Sequence, residues 1–295
     1  MGEKFSRRSF LKTVGTGFGL TTLFVTSGKT KNLTATTTKP KAMLIDIRKC
    51  IGCKACQIAC KIWNKLPAEE TRITAENEYV NPPRFSADTW CYVKFSEVRE
   101  KEGIVKWRMA SLRCMHCLEP ACVSVCPTKA LKKLPEGPVV YDPSRCIGCK
   151  YCVEACPWHV PHFDEEKKVI SKCVFCVDRI KAGMVPACVA NCQTGALQFG
   201  DRDEILEKAH SSGAPYIYGE KEAGGTSMIF VSDVPFKELG FPEVSSKPME
   251  TFKSDMLTSI ASVGVIATII SFAGYFAAKF LRRKEEVAKT LKEEK

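Results

Sequence analysis

The sequence predicts an α+β fold in which two tandem modules form around clustered cysteines, followed by one C-terminal transmembrane helix. Seventeen cysteines occur in 295 residues, and sixteen of them fall into four groups of four. Near the C-terminus, Met256 to Ala278 is an uninterrupted run of uncharged residues. At about 1.5 Å per residue, a helix of this length crosses a hydrocarbon core of roughly 30 Å. The alternative for this run is a buried helix of a soluble protein.

The third group of cysteines has the most specific spacing. Cys146, Cys149, Cys152 and Cys156 are separated by two, two and three residues, and Pro157 follows. This C-x2-C-x2-C-x3-C-P run is typical of bacterial ferredoxins, in which three thiolates hold one [4Fe–4S] cluster and the fourth thiolate holds another. One such run therefore implies a second.

The other three groups follow the same logic, because each ends with a gap of three residues before its last cysteine. They are Cys50, Cys53, Cys56 and Cys60; Cys114, Cys117, Cys122 and Cys126; and Cys173, Cys176, Cys188 and Cys192. Sixteen thiolates suffice for four [4Fe–4S] clusters, since each cluster takes four. The sequence therefore predicts tandem two-cluster ferredoxin modules with insertions, in which all sixteen cysteines are iron ligands.

Two other uses of the cysteines stay open at this point. One is a disulfide framework, because N-terminal features described below suggest export, and disulfides persist in oxidising compartments. The other is zinc, because Cys173, Cys176, Cys188 and Cys192 taken alone are spaced as in a zinc ribbon. The repeated short spacings favour clusters. Cys91 lies outside the groups and is interpreted as a small buried hydrophobic residue.

The N-terminus carries the export signal. Residues Ser6 to Lys12 read S-R-R-S-F-L-K, which is similar to the twin-arginine motif, and an uncharged run from Thr13 to Gly28 follows. That run is too short, and too rich in Thr and Gly, to be a secure membrane span. The twin-arginine route carries folded proteins, so clusters can be inserted in the reducing cytosol before export.

Basic residues determine the predicted orientation of the C-terminal helix. Lys279, Arg282, Arg283 and Lys284 directly follow the apolar run, and such residues favour the cytoplasmic side. The cluster modules then face the periplasm, in agreement with the export signal. The sequence thus predicts a protein of the cell inner membrane with a cytoplasmic C-terminus.

These features divide the chain into five predicted segments. They are a twin-arginine signal and linker over 1–42, a four-cluster ferredoxin domain over 43–200 with an insertion over 67–113, a partner-contacting extension over 201–253, a transmembrane helix over 254–281 and a charged cytoplasmic tail over 282–295. Within the insertion, Trp90 to Val98 predicts a strand, partnered by one that includes Trp107 to Met109. The insertion is expected to pack either over the clusters or against a partner subunit, and both alternatives stay open at this point.

Other functions find little support. The net charge is +11, but the basic residues are concentrated in the N-terminal segment or scattered, and do not form the basic patch of a nucleic-acid site. No nucleophile–base constellation or phosphate loop is present, so no catalytic residue is predicted. His116, His159 and His162 are interpreted as ordinary surface or loop histidines.

Residues 43–200 resemble the four-cluster iron–sulfur subunits of bacterial respiratory enzymes. These are the electron-transfer partners of molybdopterin oxidoreductases, such as formate dehydrogenase, and of membrane-bound [NiFe] hydrogenases. The matching stretches are Cys114 to Cys117, Cys122 to Pro127, Cys146 to Pro157, Pro186 to Cys192 and Thr194 to Gly200. Further along, Tyr218 to Thr226 and Val234-Pro235 resemble most the iron–sulfur subunit of the periplasmic, Hyb-class hydrogenase, which carries its own twin-arginine signal and membrane helix.

The resemblance implies how the ligands cross between the four groups. The implied sets are Cys50, Cys53, Cys56 and Cys192; Cys60, Cys173, Cys176 and Cys188; Cys114, Cys117, Cys122 and Cys156; and Cys126, Cys146, Cys149 and Cys152.

The resemblance also implies a function. The chain is expected to carry electrons, without catalysing a reaction itself, between an exported catalytic subunit, foremost a [NiFe] hydrogenase, and an integral membrane quinone-reactive or cytochrome b-type subunit. The first alternative is the beta subunit of formate dehydrogenase or of another molybdopterin oxidoreductase. The second is an assembly protein that holds clusters without carrying catalytic current.

Overall fold

The computed structural model describes residues 39–69, 82, 84–99, 103, 105–248, 267–279 and 281–282. Of the predicted signal and linker over 1–42, only residues 39–42 fall within these ranges. The predicted cytoplasmic tail over 282–295 lies outside them except for residue 282.

The described elements alternate short strands with short helices. The strands are β1 (Lys41–Asp46), β2 (Cys91–Arg99), β3 (Val105–Arg113), β4 (Leu131–Lys133), β5 (Val139–Tyr141), β6 (His162–Asp164), β7 (Val169–Ser171), β8 (Leu197–Asp201), β9 (Tyr216–Tyr218) and β10 (Met228–Ser232). The helices are α1 (Ala55–Asn64), α2 (Ala121–Ser124), α3 (Tyr151–Glu154), α4 (Val177–Lys181), α5 (Ala187–Ala190) and α6 (Arg202–Ser211), with 3₁₀ turns at Pro143–Arg145 and Glu222–Gly224. A further helix, α7, covers 267–279. This mixed content agrees with the predicted α+β class.

A four-stranded mixed sheet forms one wall of the domain, in the order β8-β1-β10-β9. Strand β1 runs parallel to β10 and antiparallel to β8, with Leu44 opposite both Ile229 and Gln198. Successive side chains of a strand point to opposite faces. Accordingly, Met43 and Ile45 pack into the core that contains the cysteines, whereas Leu44 packs against α6 on the other face. Both faces of β1 are therefore buried.

Three antiparallel hairpins complete the sheet structure, and they pair β2 with β3, β4 with β5, and β6 with β7. In the first hairpin, Phe95 lies opposite Met109 and Glu97 lies opposite Trp107. The prediction of a strand over Trp90 to Val98, partnered by one containing Trp107 to Met109, is thus confirmed. The insertion over 67–113 therefore contributes a nine-residue ladder to the fold.

The predicted transmembrane helix over 254–281 is described only in part. Residues 267–279 form a helix with exposed side chains, and the preceding residues 254–266 lie outside the described ranges. Among the residues that the structure describes, no helix is long and apolar enough to span a bilayer.

Candidate iron–sulfur sites

The structure brings the sixteen grouped cysteines together as four sets of four thiols. We call these site 1 (Cys50, Cys53, Cys56 and Cys192), site 2 (Cys60, Cys173, Cys176 and Cys188), site 3 (Cys114, Cys117, Cys122 and Cys156) and site 4 (Cys126, Cys146, Cys149 and Cys152). Each site takes thiols from two separate cysteine groups. These sets are the ones that the family resemblance implies.

Electrostatic interactions define the two outer sites. At site 1, burial raises the pKa of the Cys50 thiol to about 11, and the thiols of Cys56, Cys192 and Cys53 add to the rise. At site 4, burial raises the pKa of the Cys152 thiol to about 12, with further contributions from the other three members. Like charges near one another oppose ionisation, which is why the neighbouring thiols add to the rise in the pKa of Cys50 and of Cys152.

The two inner sites are more enclosed. Burial raises the pKa of the Cys60 thiol well above its usual range, and Cys173, Cys188 and Cys176 contribute to the rise. The pKa of the Cys117 thiol is raised for the same reasons, first by burial and then by its neighbours in site 3. A buried set of four thiolates is stable only beside compensating positive charge. Bound irons would supply that charge.

Short helices carry the ligands in an alternating pattern. Helix α1 presents Cys56 to site 1 and, one turn later, Cys60 to site 2, and it packs against α5, which carries Cys188. In the same way α3, with Cys152 of site 4, packs against α2. Each pair of packed helices therefore joins an outer site to an inner site.

The two modules share loop geometry down to individual residues. Gly52 and Gly148 each precede the second cysteine of a C-x2-C turn with φ of 70° and 69°, a region that favours glycine. Lys54 and Lys150 then precede α1 and α3 as N-cap residues, with φ of 60° and 62°. The ammonium of Lys54 lies 5.7 Å from the centroid of the Phe95 ring, and that of Lys150 lies 4.1 Å from the Phe163 ring. A hairpin aromatic thus supports each outer site.

The inner sites meet where the two modules contact one another. His116 lies between Cys114 and Cys117, Phe175 lies between Cys173 and Cys176, and the two rings stack with centroids 4.9 Å apart and an interplanar angle of 16°. His116 lies in a loop, as one of the two predicted placements has it, but the surface placement is wrong. Its side chain is fully buried, and its Nδ1 accepts a hydrogen bond from Val139 N at 2.9 Å.

Backbone and hydroxyl groups approach several of the sulfurs. The amide of Leu197 donates to Cys192 Sγ at 3.3 Å, and the amide of Phe175 donates to Cys173 Sγ at 3.4 Å. At the outer sites Thr194 Oγ1 lies 3.8 Å from Cys192 Sγ, and Thr128 Oγ1 lies 3.7 Å from Cys126 Sγ. Donors of this kind stabilise thiolate ligands and tune the group that they bind.

The four sites have the donor sets that [4Fe–4S] clusters require. All seventeen cysteines are free thiols, and sixteen of them converge in sets of four. In the described part of the chain, no three His, Cys, Asp or Glu residues form a group that could hold a metal ion. A [4Fe–4S] cluster needs no such group, because its four thiolates are spread over a body of several irons. The residues present therefore fit the cluster.

The insertion packs over the first two sites through its hairpin. Ser111 Oγ of β3 lies 3.1 Å from Cys56 Sγ of site 1, and Arg113 Nη1 donates to Cys188 Sγ of site 2 at 2.6 Å. Cys91 is buried, as predicted, but its Sγ also lies 3.6 Å from Ser111 Oγ, beside the site 2 cysteines. Sequence reasoning missed Ser111 and Arg113 because nothing in their local pattern distinguishes them from ordinary strand residues. It also missed Lys172, which directly follows β7 and whose Nζ lies 3.9 Å from Cys114 Sγ of site 3.

Two overlapping segments, at residues 49–130 and 105–202, match the family described as 4Fe-4S dicluster domain. The nitrate-inducible formate dehydrogenase iron–sulfur subunit of Escherichia coli K12 is 37% identical over 249 residues, which cover 79% of this chain and 82% of that protein. The formate dehydrogenase-O iron–sulfur subunit of the same organism is 35% identical over 272 residues, with coverages of 86% and 88%. The thiosulfate reductase electron transfer subunit PhsB of Salmonella typhi is 39% identical over 187 residues, with coverages of 63% and 88%. The chain belongs to this family of dicluster [4Fe–4S] iron–sulfur subunits, which transfer electrons within oxidoreductase complexes.

Proposed function

We propose that this chain carries single electrons along four [4Fe–4S] clusters, as the membrane-anchored iron–sulfur subunit of a respiratory oxidoreductase of the formate dehydrogenase class. The observation that supports this most directly is the convergence of sixteen cysteines into four separate thiol sets. We assign all sixteen as iron ligands, with the members of sites 1 to 4 given above. Four redox centres in one chain suit electron conduction rather than a single catalytic centre.

The order of the sites supports a linear relay. Sites 1 and 2 share α1, because Cys56 and Cys60 lie on the same helix. Sites 2 and 3 meet at the stacked rings of His116 and Phe175. Sites 3 and 4 share α2 and the residues after it, because Cys122 lies on that helix and Cys126 follows it. Neighbouring sites are therefore linked by one helix, by a pair of stacked rings and by one helix with the residues after it, in the order 1, 2, 3, 4.

The protein's own part in this function is to hold, insulate and tune the centres. The thiols of Cys60, Cys173 and Cys188 are buried, as is Phe175 beside them. Apolar surroundings exclude water, which shapes the reduction potential of a bound cluster and blocks reaction with solvent. When bound, the clusters supply the capacity to accept and release one electron at a time.

The relatives favour formate dehydrogenase as the class of the catalytic partner. Two formate dehydrogenase iron–sulfur subunits match over most of both chains. The resemblance of Tyr218 to Thr226 to a hydrogenase subunit carries less weight. Tyr218 is 5% exposed, and the buried Thr226 hydroxyl lies 2.9 Å from Gly219 O and 2.7 Å from Met228 O, so this segment packs inside the domain. It says more about the fold than about the partner.

We further propose that the chain is exported by the twin-arginine route and anchored by one helix over 254–281. Two independent features of the sequence support this topology, namely the motif at Ser6 to Lys12 and the uncharged run from Met256 to Ala278 with basic residues after it. The cluster domain then faces the periplasm. Since the run contains no histidine, an integral membrane partner of the quinone-reactive or cytochrome b type holds the next redox centre.

Metal analysis of the complex that co-purifies with this chain in detergent tests the proposal. We expect about sixteen iron atoms in this chain, four for each cluster, together with molybdenum or tungsten in the catalytic partner. Nickel in place of molybdenum would restore the hydrogenase assignment. Iron without a large partner would leave a free membrane ferredoxin or an assembly protein.

A matched pair of cysteine variants tests the ligand assignment. Cys149→Ser alters an exposed member of site 4, and Cys91→Ser alters the one cysteine outside the four sites. We expect Cys149→Ser to lose between one and four iron atoms and Cys91→Ser to lose none. An assembly protein would also lose iron, but the activity of the matured complex would survive Cys149→Ser.

A further inference from the structure

Two cations are buried beside the inner sites, each one residue before a C-x2-C turn. Arg113 precedes Cys114 of site 3, and Lys172 precedes Cys173 of site 2. Their side chains are among the most enclosed in the domain, with exposures of 3% for Arg113 and 1% for Lys172. Neither one pairs with a carboxylate in the described part of the chain. Burying a charge without a counter-charge is costly, so the compensating negative charge must lie elsewhere.

Each cation reaches the inner site opposite to the one that it precedes. Arg113 Nη1 donates to Cys188 Sγ of site 2 at 2.6 Å. Lys172 Nζ lies 3.9 Å from Cys114 Sγ of site 3, and it also donates to the carbonyl oxygens of Cys173 and Val139. Each module therefore places one basic side chain beside the inner site of the other module.

Each inner site therefore has a buried cation beside one of its ligand sulfurs. The two distances, 2.6 Å from Arg113 Nη1 to Cys188 Sγ and 3.9 Å from Lys172 Nζ to Cys114 Sγ, are short enough for each positive charge to act on the group that the sulfur binds.

An unsatisfied donor points to the same partner. The Nε–H of Arg113 is buried and has no hydrogen-bond acceptor among the described residues. A buried guanidinium with a missing acceptor is expensive. The sulfurs of a bound cluster are acceptors of the kind that this donor lacks.

We propose that Arg113 and Lys172 raise the reduction potentials of the clusters at sites 2 and 3, respectively. This inference rests on the proposed function, because it takes the four thiol sets as cluster ligands. One-electron reduction adds one negative charge to a cluster, and a fixed cation in a poorly solvated site stabilises that form over the oxidised form. Arg113 has the stronger effect, since its guanidinium hydrogen-bonds a ligand sulfur directly whereas Lys172 shares its donors with two carbonyl groups.

Redox titration of the intact complex, followed by electron paramagnetic resonance, tests this inference. In Arg113→Met we expect the equilibrium constant for one-electron reduction of one cluster to fall at least tenfold, which is 59 mV for a one-electron couple. In Lys172→Met a different cluster shifts in the same direction. Arg113→Lys and Lys172→Arg keep the charge and recover most of the potential.

Arg108→Met is the matched control. Arg108 lies on the same strand as Arg113, but its guanidinium is hydrogen-bonded to the carboxylate of Asp233. If a cation acts only when it lies beside the ligand sulfurs, removing the charge of Arg108 leaves the reduction potentials of all four clusters unchanged. A shift in Arg108→Met as large as that in Arg113→Met would overturn the inference.

The remaining outcomes separate this inference from the proposed function. Full iron content with unchanged or raised potentials in both Met variants sinks the inference alone. A wild-type complex without clusters sinks the proposed function first. If Arg113→Met does not retain its iron, the pair Lys172→Met and Lys172→Arg decides the question at site 3.

Discussion

Gly148→Ala tests whether the outer cluster loops are as tightly constrained as the structure shows. Gly148 has φ of +69°, and a Cβ built there would lie 2.9 Å from both Lys168 O and Phe163 Cε2. The oxygen belongs to the backbone of the turn between β6 and β7, and the ring lies beneath the Lys150 ammonium. Neither neighbour can move away without disturbing the hairpin that supports site 4.

The expected cost has two parts. A left-handed conformation costs a non-glycine residue about 1–2 kcal/mol. Overpacking against the turn and the ring adds about 1–3 kcal/mol. The total is therefore roughly 2–5 kcal/mol of unfolding free energy, from the sum of these two effects.

Gly213→Ala separates the two parts of this cost. Gly213 has nearly the same φ, +68°, but a Cβ there would meet nothing within 4 Å. It therefore carries only the conformational strain. In a domain of this size about 1 kcal/mol lowers the unfolding temperature by roughly 2–4 °C.

The assay is the apparent unfolding temperature at one scan rate, measured together with the iron content. Gly148→Ala is expected to unfold at least about 2 °C lower than Gly213→Ala, because the overpacking cost is at least about 1 kcal/mol. It should also be the variant that loses iron from site 4. Equal unfolding temperatures for the two variants would refute the argument from close contact.

Two further perturbations act away from the cysteines. Ile205→Ala removes a fully buried side chain that packs against Leu44 on the face of the sheet opposite the sites. We expect the unfolding free energy to fall by about 2–5 kcal/mol, seen as a lower unfolding temperature with unchanged cluster spectra. Altered cluster spectra would contradict the placement of Ile205 on that face. The guanidinium of Arg108, with help from Lys106, holds the pKa of the Asp233 carboxyl well below its usual range. The stabilisation that the ionised Asp233 gives the folded state is therefore complete above the unfolded-state pKa of about 3.9, and it is lost only as the pH falls through the lowered folded-state pKa. Asp233→Asn should lower the unfolding free energy by about 1–2 kcal/mol, as for a partly exposed ion pair. The loss should be the same at every pH between about 5 and 8. A difference in stability from wild type that disappears within that range would contradict this assignment.

The described domain also shows what the long insertion contributes. Its hairpin supplies Phe95 against Gly52, Ser111 beside Cys56 and Arg113 beside Cys188. The segment therefore completes the walls of sites 1 and 2. Any partner contact that the insertion makes is additional to this role.

Local features were predictable from the sequence because their physics is local. The two- and three-residue gaps among Cys146, Cys149, Cys152 and Cys156 bring thiols together within a few bonds of backbone, so the grouping needs no tertiary information. The strand over Trp90 to Val98 was predictable for a similar reason, since alternation and β-branched or aromatic residues suffice to indicate it.

The exchange of ligands between groups was not derivable from spacing. Cys192 joins Cys50 at site 1 because β8, which follows Cys192, pairs with β1, which precedes Cys50. That pairing joins distant parts of the chain, and only a family resemblance anticipated its result.

The sequence alone thus determined which cysteines could bind iron, and that there are enough of them for four clusters. The tertiary structure decided which thiols meet, and which other groups accompany them. Arg113 and Lys172 read as ordinary basic residues, and His116 as an ordinary loop residue, until the two modules pack together and bury all three between the inner sites. The physical reason is that burial and charge compensation depend on neighbours in space, which no local pattern encodes.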